Sequence, residues 1–88
     1  MSAIRSRCDP YLATIRNAIH GVTPIELRKG LEQARWHVYS CLESGDTTTA
    51  LTWLEALSDS AEAIPQDLWA LRAAIIRAVG RIKEQLPK

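Results

Sequence analysis

Apolar residues recur along this chain at spacings of three and four, the repeat of a helix that buries one face. Four stretches carry the pattern: Leu12, Ile15 and Ile19; Leu27, Leu31, Ala34, Val38 and Cys41; Ala50, Leu54, Leu57, Ala61 and Ile64; and Leu68, Leu71, Ile75, Val79, Ile82 and Leu86. No segment alternates apolar and polar residues at period two, so no strand is predicted. Breaks between the stretches are explicit. Asp9-Pro10 reads as an N-cap followed by proline at the first helical position, with Gly21 as a stop. Thr23-Pro24-Ile25-Glu26 has the order of a capping box, with its proline just inside the start. Ser44-Gly45-Asp46 ends one helix at a glycine and offers Asp46, or a following threonine, as the next cap. Ile64-Pro65 interrupts the last two stretches, by a break or by a kink in one long helix.

The expectation is a single all-α domain, a small bundle of four helices at about 10–20, 24–44, 47–63 and 65–86, with no ordered element over 1–8. The short Gly45-Asp46 connection makes the second and third helices an antiparallel hairpin on which the rest is built. Gly30 lies inside the second helix, where close packing of another backbone or plain tolerance of a weak residue would account for it.

One tryptophan does not fit its stripe. Trp36 stands about 180° from the core face of its own helix, near Ile25 and Tyr39. Leu51 and Trp53 widen the third stripe on either side, and Trp69 and Ile76 form a second surplus about 100° from the core face of the fourth. Either the first helix lies across Trp36, or a second molecule covers it. Trp36, Tyr39, Trp53, Trp69 and Ile76 are therefore the candidate partner-binding residues, since aromatic side chains concentrate binding energy.

Charge adds a second theme. Residues 1–42 carry a net +3, residues 43–67 a net −6 and residues 68–88 a net +4, so the chain as a whole stands at +1. Glu55, Asp59 and Glu62 share the outer face of the third helix and repel one another, which a basic surface would relieve. Arg77 and Arg81 on the fourth helix are the candidates, from the same chain or from another copy. The same basic helix supports the alternative reading, a nucleic-acid-binding protein. The near-neutral total and the acidic middle oppose it.

Chemistry beyond docking finds little footing. His37 and Cys41 are four apart on one helix, half of a metal site that Cys8 and His20 would have to complete, while Cys41 already belongs to a core stripe. No glycine-rich phosphate loop, nucleophile elbow or catalytic carboxylate pair is present, so no enzyme, cofactor or metal is expected. No apolar run approaches 18 residues and no hydrophobic stretch follows the first basic residues, so neither a membrane span nor a secretory signal is read. Two thiols on apolar stripes fit a reducing cytoplasm, and the Ala, Leu and Arg content fits a GC-rich bacterium or its phage.

The run Ala34-Arg35-Trp36-His37-Val38-Tyr39-Ser40-Cys41-Leu42-Glu43-Ser44-Gly45-Asp46, continued by Ala50-Leu51-Thr52-Trp53-Leu54-Glu55-Ala56-Leu57, resembles one tetratricopeptide-type helical hairpin. Gly45-Asp46, Ala50 and Leu54 stand where that repeat has its turn, its small residue and its large residue; Val38 and Leu57 depart from its small-residue positions. The resemblance covers about a third of the chain, in a single copy. It implies peptide or partner-protein binding, as in small bacterial tetratricopeptide-like chaperones and adaptors. Pattern, charge and resemblance lead to one expectation: a non-enzymatic protein–protein interaction module that binds a partner protein or pairs as a homodimer.

Overall fold

The computed structural model describes residues 3–87. Among them the elements are α1 (Ala3–Ile19), α2 (Ile25–Ser44), α3 (Thr47–Glu62), a single 3-10 turn (Gln66–Leu68) and α4 (Trp69–Gln85), with no strand. The protein is all-α.

Each helix runs antiparallel to its neighbours. Arg5 meets Glu43, Arg35 Nε donates to the Leu12 carbonyl at 2.9 Å, and Arg28 Nη1 donates to the His20 carbonyl at 3.4 Å, which ties α1 to α2 in opposite directions along its whole length. Tyr11 and Thr14 of α1 share a groove with Arg77 and Arg81 of α4, while a side chain at Gly21 would come within 2.9 Å of Leu71. His37 of α2 stacks on Trp53 of α3, and Thr47 and Leu51 of α3 lie beside Lys83 and Leu86 of α4. Among the described residues α1 and α3 are not adjacent, nor are α2 and α4. The helices thus close a four-sided ring measuring 36 × 19 × 19 Å, an up-down-up-down bundle with short connections.

The inward stripes fill the ring. Cys8, Ile15 and Ile19, then Leu31, Val38 and Leu42, then Ala50, Leu54, Leu57 and Ala61, then Ile75 and Ile82 have no exposed surface. Among the described residues no polar or charged side chain is fully buried, so the core is held by apolar burial and packing alone. On α2 the stripe ends differently from its prediction: Leu42 takes the core position and Cys41 is half-buried. The reason is spacing, since Val38 is followed on its own face by the residue four on rather than three on.

Helix α1 begins seven residues before its predicted start, at Ala3 rather than Pro10, and Pro10 lies inside it. Residues 3–8, for which no ordered element was expected, are helical, and only residues 1 and 2 of that stretch lie outside the described residues. Proline there forgoes one backbone hydrogen bond and crowds the preceding turn. Opposing that cost, Ile4 and Cys8 extend the apolar stripe upstream and pack on the core. Asp9 does not cap a helix; it takes Arg5 in an i, i+4 ion pair at 2.9 Å.

The capping box is also absent. Pro24 is itself the cap residue of α2 and no side chain caps it, so Thr23 stands one position too early and Glu26 falls on the second helical residue. The first helical bond runs from the Arg28 amide to the Pro24 carbonyl at 3.1 Å. At the hairpin the expected chemistry is present. Gly45 adopts φ 82°, its amide closes onto the Leu42 carbonyl at 3.3 Å, and the Asp46 carboxylate accepts from the Thr49 amide at 3.1 Å. Hydrogen bonding from Thr49, by its side chain first and then its amide, holds the Asp46 carboxyl below the usual carboxylate range. Between α3 and α4 the chain breaks rather than kinks, turning at Ile64-Pro65 before the 3-10 turn.

Gly30 has nothing within 4 Å of the place a Cβ would occupy, so within the chain it is a tolerated weakness rather than a packing requirement. Gly30→Ala is expected to stabilise the fold by about 1 kcal/mol and raise the thermal midpoint by about 4–8 °C in a domain of this size. An unchanged or lower midpoint in calorimetry would show that the position is constrained from outside the chain.

Candidate interaction surfaces

The outer face of α2 is built on an aromatic pair. Trp36 is 58% exposed and stacks on Tyr39, with ring centroids 5.9 Å apart and planes 16° from parallel. Beneath it the Arg5 guanidinium lies 5.7 Å from the Tyr39 centroid, in cation–π range. Arg5 is itself held by Asp9 at 2.9 Å and Glu43 at 2.6 Å. Helix α1 therefore fixes Tyr39 and leaves Trp36 open. Ile25, 48% exposed, follows the same side of α2 three turns earlier.

Trp53 belongs elsewhere. It is half-buried and stacks on His37 at 4.1 Å and 14°, across the seam between α2 and α3. Packing occupies that imidazole. Cys41 is half-buried on the same helix, whereas Cys8 inside α1 and His20 just past its end stand about 18 Å apart at 1.5 Å per residue. Among the described residues no group of three potential ligands is placed to hold a metal. Both cysteines are free, and burial pushes both thiols up, so they stay protonated at neutral pH.

A second exposed apolar face lies across the ring. Trp69 is 65% exposed, Ile76 37% and Leu51 40%. Trp69, Ile76 and Lys83 share one stripe of α4 at seven-residue spacing, and Lys83 faces Leu51 in a common groove, which puts all four on the α3–α4 side. Because α2 and α4 are diagonal, Trp36 and the Trp69–Ile76 pair point in opposite directions. The five aromatic and apolar candidates thus form two surfaces and one internal seam, not one patch.

The charged candidates separate in the same way. Glu55 and Glu62 follow Leu51 along its own stripe, and Asp59 points outward from α3. Arg77 and Arg81 do not face them. They line a groove of about 200 Å³ with Tyr11 and Thr14 of α1, and Arg81 pairs with Glu84 at 3.4 Å. Helix α4 turns those two arginines toward α1 because its core stripe lies between them and the side occupied by α3. Arg72 and Lys83 are the bases on the acidic side. The positive charge of α4 is split between two sides of the helix, so it presents no continuous basic face to a phosphate backbone. A cleft of about 270 Å³ between α1 and α2 is lined by Arg16, Ile19, His20, Glu32 and Arg35. Burial, with Arg16 nearby, lowers the Arg35 guanidinium below its ordinary value, and its Nε is committed to the Leu12 carbonyl.

Sequence reasoning missed Arg5. It falls in the stretch assigned no element, and its effect on Tyr39 depends on a helix thirty-four positions away; the one local signal was the i, i+4 spacing to Asp9. No protein-family model, curated protein or solved structure matches the chain. The tetratricopeptide-like resemblance of residues 34–57 rests on those residues alone. Among the described residues no helix is long and apolar enough to cross a membrane.

Proposed function

We propose that this protein is a small cytoplasmic, non-enzymatic interaction module, of adaptor, chaperone or inhibitor type, that docks a partner protein through the outer face of α2. One observation carries the reading: Trp36 is more than half exposed and stacks on Tyr39, which Arg5, paired with Glu43, backs from α1. A large aromatic ordered before binding loses little entropy on docking, which is the character of an interface anchor. The free Cys8 and Cys41 suit a reducing compartment.

The test compares wild-type and Trp36→Ala protein as baits in host extract, with circular dichroism on both. Trp36→Ala keeps its helicity and loses the captured partner, with affinity reduced about 30-fold or more, the effect of removing an anchor worth about 2 kcal/mol. Equal capture by the two baits rejects the reading, and collapse of the helical signal would make Trp36 a core residue instead.

A further inference from the structure

The α3–α4 side carries apolar surface, unpaired charge of both signs and an unexplained glycine together. Leu51, Ile76 and Trp69 are exposed along it. Glu55 and Glu62 edge it on α3, and Arg72 and Lys83 on α4; among the described residues none of these four makes an ion pair. Gly80 lies one turn beyond Ile76, exposed, with nothing within 4 Å of a built Cβ. The missing side chain leaves the surface low at that point, with room for a side chain from outside.

We infer that this side docks a second copy of the chain, across a two-fold axis parallel to the helices. The inference extends the reading as an interaction module but uses the surface opposite Trp36. The charge pattern selects the axis. Rotation about a line along the α3–α4 groove lays α3 of one copy over α4 of the other, acid over base. A two-fold perpendicular to the helices would lay α3 on α3, acid over acid. In the parallel arrangement residues at one level meet. Leu51 is level with Lys83, so Glu62, eleven residues along, is level with Arg72 in the opposite direction. Glu62 of each copy then faces Arg72 of the other, with Ile76 near the centre and Gly80 admitting an apolar side chain such as Leu51 of the second copy. One side of a 36 × 19 Å bundle offers roughly 700 Å² of projected area, close to the ~800 Å² per partner of a standard interface. The contact is isologous and closes on itself, so it ends at a dimer. Both Trp36 faces are left pointing outward.

Light scattering across protein concentration is the test, on wild type, Ile76→Glu, Glu62→Arg, Arg72→Glu and the Glu62→Arg/Arg72→Glu double variant, with helicity checked by circular dichroism. The wild-type mass rises from 9.8 kDa to twice that value with concentration. Ile76→Glu stays monomeric, each single charge reversal weakens the dimer about tenfold, and the double variant recovers it. A wild type that remains monomeric at millimolar concentration overturns the inference and leaves the Trp36 reading standing. A dimer indifferent to Ile76→Glu, or one lost on Trp36→Ala, overturns it as well, the latter by moving self-association to α2. Failure of the double variant to recover rejects the parallel axis.

Discussion

Leu54→Ala is expected to lower the stability of the fold by about 2–5 kcal/mol. Leu54 has no exposed surface and sits mid-helix in the core stripe of α3. Truncation removes the transfer free energy of the lost methylene groups, and it leaves a void that a close-packed ring of four helices closes only in part. The loss matters because so small a chain has little to spare. At about 0.05–0.15 kcal/mol per residue its total stability is roughly 4–13 kcal/mol. Among the described residues no buried polar side chain supplements the packing, and both cysteines are free. Urea titration should show a lower midpoint with an unchanged slope. A change below about 0.5 kcal/mol, the size of an ordinary surface substitution, would mean that α3 does not pack as described.

Pro10→Ala is expected to act in the other direction, raising stability by about 3 kcal/mol. The residue is exposed, yet it occupies the eighth position of a seventeen-residue helix. Alanine restores an amide that can bond to the Ser6 carbonyl and removes the ring from the preceding turn. Some of the gain is offset by the greater freedom of the unfolded chain once proline is gone. The experiment also decides where α1 starts. With a start at Pro10, proline would be at the first helical position, where it is favourable, and Pro10→Ala would be neutral or destabilising. A lower thermal midpoint for Pro10→Ala would therefore restore the shorter helix and remove Arg5 from beneath Tyr39.

That dependence shows why the candidate surfaces were only half legible. Trp36 was identifiable as an outward residue because its angle to Leu31, Ala34 and Val38 is fixed within one helix. Tyr39 and Trp53 were grouped with it on the same kind of argument, but what covers each is a contact between helices: Arg5 for Tyr39, His37 for Trp53. Arg77 and Arg81 were offered as partners for the acids of α3. Angle alone cannot tell which side of α4 faces α3 and which faces α1, and they lie on the α1 side.

The sequence by itself determined the four helices, the inward face of each and the Gly45-Asp46 hairpin. Helical period is a local property, and a left-handed glycine followed by an aspartate cap acts within a few residues. Only the tertiary structure decided where α1 begins, which tryptophans remain exposed and how the charges are shared between faces. Those depend on the order in which the helices close the ring, and on burial strong enough to carry Pro10 inside a helix against its own preference.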